Sequence, residues 1–326
     1  MYLTFYGLTE KPFNPTPDPR FLYMCPGHRE ALAQLQYGVQ ERKGFILLTG
    51  RVGTGKTTLL NALRQRLDGQ TAVAFVFNST LTFDGILECA QADLGIADGA
   101  PSRARRLIAF NNFLIERQRA GHNTVLILDE AQNLDPATLE QIRLLSNFET
   151  PTSKVLQILL VGQPELRARL ALPELRQLSQ RVALRCQLSP LTPAEVRQYL
   201  RNRLRVAGAR DMALFTDPAV DRLTKFAGGV PRLVNTIADH CLLFGYADNQ
   251  RRIERSTVDR AVEYLEEGTR PRRTVHVPGV SRARELTRSD LGSLALAVAS
   301  AAVAIALWFQ TAVPSFVQSV SELLFP

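Results

Sequence analysis

Short apolar runs alternate with longer segments of helical period along the first 190 residues of the chain. The runs "GFILLTG", "TAVAFVFN", "NTVLILDE" and "VLQILLVGQ" are apolar on both faces, and segments such as "TTLLNALRQRL" and "SRARRLIAFNNFLIERQRAG" lie between them. A fifth run, "RVALRCQL", closes the sheet near residue 188. The pattern predicts an α/β domain over residues 1–190, with a parallel five-stranded sheet and helices on both faces.

From residue 191 the pattern is helical only, and each segment opens on a start signal while most end near Gly or Asn. The pattern predicts four helices, at residues 193–207, 217–227, 231–246 and 256–267. They form a small all-helical domain over residues 191–268. Residues 269–290 combine Pro, Gly and Arg without periodicity, so we interpret them as a basic linker.

The segment over residues 291–313 carries no charge. A bilayer core requires about 20 apolar residues in helical form, so we expect a transmembrane helix here. The alternative is a buried C-terminal helix, which the many Ala residues favour. Arginines precede the segment and no Lys or Arg follows it, which predicts a single-pass inner-membrane protein with its large N-terminal part in the cytoplasm and residues 314–326 as a short periplasmic tail.

Composition adds a net positive charge to this picture, because 39 Lys and Arg outnumber 31 Asp and Glu to give a formal charge of +8 in 326 residues. The charge favours nucleic acid or anionic lipid as a partner, although arginines spread over a solvated surface give the same total. The four cysteines form no C-x-x-C pair and the four histidines have no metal-ligand spacing, so we expect reduced thiols and no zinc. The N-terminus has no pattern of a secretory signal.

A candidate phosphate-binding loop lies between a predicted strand and a predicted helix, where G-x-x-x-x-G-K-T occupies Gly50 to Thr57. Its glycines let backbone N–H groups surround phosphates at the positive end of the helix, Lys56 reaches the β- and γ-phosphates, and Thr57 offers its hydroxyl to Mg²⁺. We therefore expect ATP and Mg²⁺ as cofactors. The predicted cofactor-binding residues are Gly50, Arg51, Val52, Gly53, Thr54, Gly55, Lys56, Thr57, Thr58 and Asp129.

A second motif, "VLILDEAQNL", places two carboxylates at the end of a predicted strand, where ligands bind in open α/β sheets. Asp129 is expected to hold Mg²⁺ through water, so that Thr57 and Asp129 form the metal site, and Glu130 to orient and deprotonate the attacking water. The alternative is a pair of acids that only caps a strand end before a helix. Both acids together favour hydrolysis over nucleotide binding alone.

These two motifs and the opening "FYGLTEKPFNPTPDPRFLYMCPGHREALAQLQYGV" resemble the AAA+ P-loop ATPases of the general-secretion-pathway protein A (ExeA-like) family, including relatives encoded with exosortase and exopolysaccharide systems. The resemblance covers about residues 1–268. It implies an AAA+ fold in which residues 191–268 are a lid. The chain departs from the family at Arg51, where the family loop usually carries Glu.

The resemblance also implies roles for further residues. Gln163 matches the polar sensor at the end of the fourth strand, and Arg232 matches a lid arginine that contacts the γ-phosphate. Arg181 matches the arginine finger that reaches a neighbouring subunit's nucleotide in a ring, with Arg176 and Arg185 as rivals. The opening segment is expected to lie beside the adenine. Its aromatic residues, interpreted as core contacts with a binding role as the alternative, are Phe5, Tyr6, Phe13, Phe21 and Tyr23.

Together these features predict a membrane-anchored AAA+ ATPase that drives assembly or operation of an envelope machine for secretion, pilus formation or exopolysaccharide export. Its expected partners are other copies of the chain, inner-membrane proteins and membrane lipid. The alternative is a DNA-associated ATPase of the kind that assists transposition, for which nucleic acid would be the partner. A third hypothesis is a scaffold whose nucleotide only fixes its shape, against which Glu130 argues.

Overall fold

The structure is a computed structural model that describes residues 2–14, 18–77, 81–96, 102–148 and 154–269. Residues 1–270 form one compact unit of the chain. The predicted transmembrane helix, the predicted tail and all of the predicted linker except residue 269 lie outside the described residues. Within the described ranges, no helix has both the length and the apolar character needed to cross a membrane.

A parallel sheet of five strands forms the centre of the first part of the chain, and its strand order is β2-β3-β4-β1-β5. The strands are β1 (Phe45–Gly50), β2 (Ala72–Val76), β3 (Thr124–Leu128), β4 (Gln157–Gly162) and β5 (Val182–Leu188). Every residue of β1, β3 and β4 is buried, as strands covered on both faces require. The predicted five-stranded parallel sheet is confirmed.

Helices cover both faces of the sheet because successive strand residues point to opposite sides. On one face Ile46 and Leu48 pack with the helices α2 (Pro26–Gln40) and α3 (Lys56–Arg66). On the other face Phe45 and Leu47 belong to a second core cluster. The helices that contribute to that cluster are α4 (Phe83–Asp93), α5 (Arg103–Arg119), α6 (Pro136–Leu145), α7 (Pro164–Leu170) and α8 (Arg176–Arg181).

The lid consists of four helices, whose observed bounds confirm the predicted ones to within two residues. They are α9 (Pro193–Val206), α10 (Asp217–Ala227), α11 (Pro231–Ala247) and α12 (Arg255–Thr269). A capping box starts α9, in which the Thr192 side chain accepts from the Glu195 N–H and the Glu195 carboxylate accepts from the Thr192 N–H. The polar cap fixes where the chain turns from the sheet into the lid.

The opening segment packs into the core of the lid. Phe13 and Phe21 are buried in the same cluster as Leu200, Leu223 and Leu242 of the lid helices. The short helix α1 (Tyr2–Tyr6) also contributes Tyr6 to that cluster. The sequence prediction grouped this segment with the sheet domain; its aromatic side chains Tyr6, Phe13 and Phe21 pack on the lid helices, and Leu22 and Met24 pack on the core between the sheet, α2 and α3. The reason is physical: the aromatic rings find their apolar partners on the lid helices.

Candidate functional site

The phosphate loop connects β1 to α3, and its glycines adopt conformations that other residues avoid. Gly53 has a φ of 78° and Gly55 a φ of 99°, both in the left-handed region. The backbone thus turns sharply enough for Lys56 to begin α3, where the helix dipole favours an anion. Lys56 is buried, and its Nζ donates to the Gly50 carbonyl at 2.9 Å.

Three carbonyl oxygens of the loop accept hydrogen bonds from three different parts of the protein. The Arg51 carbonyl accepts from the loop's own Thr54 hydroxyl at 2.8 Å. The Gly53 carbonyl accepts from the N–H of Arg232 in the lid at 3.3 Å. The Thr54 carbonyl contacts Nε2 of His28 in α2 at 3.0 Å. The loop is therefore held from both sides, by the lid and by the helix that follows the opening segment.

A cleft of about 410 Å³ lies in front of the loop. Its walls come from the opening segment and α2, from the loop and α3, from the end of β3 and from the lid. The lining residues that the sequence predicted are Val52, Gly53, Thr54, Gly55, Lys56, Thr57, Thr58, Glu130 and Arg232. The cleft thus brings together most of the predicted phosphate-binding residues with one of the two predicted acids.

Asp129 lies at the end of β3 beside the start of α3. It is buried, and this burial raises the pKa of its carboxyl group, while the Glu130 N–H, the Lys56 charge and the Thr57 hydroxyl oppose the rise. The Thr57 hydroxyl thus lies near enough to the Asp129 carboxyl group to lower its pKa. A hydroxyl and a carboxylate are hard oxygen donors of the kind that Mg²⁺ prefers, so the pair fits the predicted metal site.

Glu130 adopts a left-handed backbone with a φ of 52°, which is rare for a residue with a side chain. Two amides hold its carboxylate: Gln132 donates to Oε2 at 2.6 Å and Gln163 donates to the same oxygen at 3.3 Å. The Gln163 N–H in turn donates to the Gln132 side-chain carbonyl at 3.0 Å. The end of β4 is thereby tied to the end of β3 through the predicted base.

Gln132 is a site residue that the sequence analysis missed. It lies two positions after Glu130 in "DEAQNL", and a polar residue so close to a candidate base was the available signal. Gly162 also matters here, because a Cβ on it would lie 2.6 Å from the Gln132 Oε1. The bare backbone of Gly162 leaves space for the amide that connects the two strand ends.

The three candidate finger arginines lie away from the lining of the cleft. Arg181, at the end of α8, donates to the Ser146 hydroxyl at 2.7 Å and to the Asn147 side-chain oxygen at 2.6 Å. Arg185 donates to the Ser179 carbonyl at 2.7 Å, and Arg176 is exposed. The Arg181 side chain is thus held against the C-terminal end of α6. It does not line the cleft of its own chain.

The far wall of the cleft is built by the lid and the opening segment together. Arg203 is buried there and donates to the Tyr199 hydroxyl at 2.9 Å. Its guanidinium lies 4.8 Å from the centre of the Phe21 ring, and the Tyr199 hydroxyl donates to Asn235 at 2.8 Å. Phe21 and Tyr23 line the cleft, and Phe21 is also part of the lid core. Phe21 therefore both packs in the lid core and lines the cleft.

Comparison with known proteins identifies a family model and a curated relative. Residues 39–170 match the AAA domain family. The chain is 42% identical to general secretion pathway protein A of Aeromonas hydrophila over 262 aligned residues. The aligned residues cover 80% of this chain and 48% of the relative. The chain therefore spans about half the length of this relative.

Two solved structures, of a Cdc6p protein and of an ORC2 protein, have the same fold. Cdc6p from Pyrobaculum aerophilum has a TM-score of 0.58 at 20% identity over 77% of this chain and 71% of its own. The ORC2 protein of Aeropyrum pernix, solved with ADPNP and ADP, has a TM-score of 0.57 at 21% identity over 79% of this chain and 72% of its own. At such identities the likeness concerns the fold alone.

Proposed function

Because this chain, over the residues aligned with general secretion pathway protein A, belongs to the ExeA-like family of AAA+ proteins, we propose that it is a membrane-anchored ATPase that drives assembly or operation of a cell-envelope machine. The observation that carries the proposal is that Lys56 and Glu130 line one cleft. A cation for phosphate and a carboxylate for water, placed together, are what nucleotide hydrolysis requires.

Each part of the cleft has a chemical task in this proposal. The loop N–H groups and Lys56 bind the phosphates, and Thr57 with Asp129 would hold Mg²⁺. When bound, Mg²⁺ neutralises charge on the phosphate oxygens. Glu130 accepts a proton from the attacking water, while the amides of Gln132 and Gln163 fix the direction of its carboxylate.

Hydrolysis in this proposal needs a neighbouring copy of the chain. Arg232 lines the cleft from within the same chain, whereas the three candidate finger arginines do not. Arg181 ends α8, and its guanidinium is held by Ser146 and Asn147 just after α6 and outside its own cleft. This fixed position supports it as the group that a neighbour presents to the γ-phosphate, where such an arginine accelerates transfer by about 10³ to 10⁵. A ring or other oligomer is thus part of the proposed mechanism.

The membrane anchor in this proposal is the uncharged segment over residues 291–313, with the arginines that precede it on the cytoplasmic side. The relative's name supports an envelope role, since it is a secretion-pathway protein. The proposed partners are therefore inner-membrane proteins and lipid.

Two substitutions in the full-length chain test the enzymatic part. Lys56→Ala should abolish tight ATP binding, because the phosphate charge loses its cation. Glu130→Gln should keep ATP bound and lower phosphate release by about 10² to 10⁴. Normal turnover by the Glu130→Gln protein would show that another group activates the water.

Fractionation of cells tests the anchor separately. The intact chain should resist extraction by high salt and by alkaline carbonate and dissolve only in detergent, because a spanning helix is held by burial. A reporter fused after Pro326 should lie outside the inner membrane. Release of the intact protein by salt alone would contradict the anchor and leave the ATPase proposal standing.

The formal charge of +8 supports a second candidate, a DNA-associated ATPase. Binding of duplex DNA that weakens steeply between about 50 and 200 mM salt would favour it, since phosphate contacts release counterions. Together with extraction by salt, that result would replace the envelope proposal.

A further inference from the structure

His28 lies in the first turn of α2, at the point where the opening segment meets the phosphate loop. It is buried, with 5% of its surface exposed, and it lines the cleft. Its ring is in contact with two groups: Nε2 is 3.0 Å from the Thr54 carbonyl, and Nδ1 is 2.7 Å from the Cys25 sulfur. The proposed mechanism of hydrolysis does not use either contact.

The two contacts define how the ring is protonated. A carbonyl oxygen can only accept a hydrogen bond. Nε2 of His28 therefore carries the proton and donates to the Thr54 carbonyl. Burial lowers the pKa of His28 and raises the pKa of the Cys25 thiol, so both groups are neutral near pH 7. Nδ1 is then an acceptor, and the Cys25 S–H donates to it. Cys25 thereby keeps the imidazole in the form that donates to the loop.

The Thr54 carbonyl lies at a sensitive place in the loop. Gly55 follows it in a left-handed conformation, and a Cβ on Gly55 would lie 3.0 Å from His28 Nε2. The ring thus fills the space that the bare Gly55 backbone leaves. On the adjacent peptide the Gly53 carbonyl accepts from the Arg232 N–H. Two successive carbonyls of the loop, those of Gly53 and Thr54, are therefore held by two different elements of the fold.

We infer that His28 is a positioning residue for the phosphate loop, which its Nε2–H holds in the conformation that binds nucleotide, with the Cys25 thiol setting the orientation and tautomer of the ring. The inference rests on the proposed function, because the conformation in question is the one that binds ATP. It also assigns a role to the opening segment, which connects the lid core to the phosphate loop. Cys25 belongs to the lid core, and His28 contacts both Cys25 and the loop.

A loop that visits the binding-competent conformation only part of the time has an apparent dissociation constant raised by the inverse of that fraction. Loss of the His28 bond should therefore raise KM for ATP and leave kcat nearly unchanged, because the bound complex is the same. Damage to folding would do the opposite, since fewer active molecules lower kcat at constant KM. The two kinetic constants separate a positioning role from a structural one.

The test compares two substitutions in the full-length chain purified in detergent. His28→Leu replaces the imidazole with an apolar side chain that has no hydrogen-bond donor. We expect KM for ATP to rise about tenfold, which is the effect expected from the loss of one buried hydrogen bond. His28→Gln carries an amide N–H at about the reach of Nε2, and we expect KM within about twofold of the wild-type value by the same reasoning. Direct titration with a fluorescent ATP analogue should give the same order.

His240→Leu is the matched control, because His240 also lies next to a carbonyl, that of Thr236, but at 2.8 Å within its own helix and away from the cleft. Its KM should stay at the wild-type value. An unchanged KM in His28→Leu, with an active wild type, would overturn the inference alone. A wild type that neither binds nor hydrolyses ATP would overturn the proposed function instead. A high KM in both His28→Leu and His28→Gln would show that the donor is not what matters.

Discussion

The side-chain amide of Gln163 donates to the carboxylate of Glu130 at 3.3 Å, so the ends of β4 and β3 meet at the group proposed to activate water. Gln163→Leu should lower kcat by about a hundredfold, as the loss of one catalytic donor does, and leave ATP affinity nearly unchanged. Phosphate release and nucleotide titration measure the two effects. Gln187→Leu is the control, because Gln187 also lies near the end of a strand but accepts from Arg167. Equal turnover by the two variants would contradict the role of Gln163.

Gly53 lies where the lid packs against the phosphate loop. Its φ is 78°, and an added Cβ would lie 2.6 Å from the Arg232 Cβ. Gly53→Ala should therefore weaken ATP binding at least tenfold, because the clash must move the loop or the lid. Gly95→Ala separates clash from backbone strain, since Gly95 has a φ of 68° with no atom within 4 Å of the added Cβ. It should cost about 1 to 2 kcal/mol of stability without changing ATP affinity.

The arginine finger can be identified by mixing inactive variants. An Arg181→Ala protein has an intact cleft, and a Lys56→Ala protein has an intact Arg181, so mixed interfaces pair one with the other and activity should partly return. Parallel mixtures with Arg176→Ala and Arg185→Ala compare the rivals. Activity per subunit should also rise with protein concentration. If only the Arg176→Ala mixture is rescued, Arg176 is the finger and Arg181 is not.

Thiol reactivity should separate the four cysteines. Cys89 is exposed, whereas the other three are buried. Burial raises the pKa of Cys186 to about 11 and of Cys241 to about 12, and it also raises the pKa of Cys25. Because the thiolate is the reactive form, the buried thiols should react slowly at pH 8. A thiol reagent should therefore modify Cys89 first in the native protein and all four after denaturation. Rapid modification of Cys25 would contradict its hydrogen bond to His28.

The sequence predicted the parts of the fold that repeat a simple pattern. Runs such as "FILLTG" in β1 and "QILLVG" in β4 are buried along their whole length and mostly apolar, so the number and parallel arrangement of the strands could be deduced. Lys56 and Asp129 were predictable because their spacing from a strand end follows from the phosphate chemistry. Their roles in nucleotide and metal binding stay predictions.

What the sequence did not predict depends on contacts between distant segments. Nothing in "FLYMCPGH" indicates that His28 faces Thr54, 26 positions later, because that contact depends on how α2 packs on the sheet. Gln132 was missed for a similar reason, since its bond to the Gln163 N–H exists only once β3 and β4 are adjacent. The same holds for Phe13 and Phe21, whose partners are lid helices near the other end of the described chain.

The shared core of the opening segment and the lid has a consequence for synthesis on the ribosome. Phe13 and Phe21 are made first, yet their partners extend to Val262. At about 5 to 20 residues per second, these rings wait roughly 10 to 50 seconds before the last helix of the lid emerges. Contacts of such long sequence separation form late because the closing of the intervening chain must come first. The sheet can assemble during elongation, whereas the complete nucleotide cleft can form only after nearly all of the described chain has been translated.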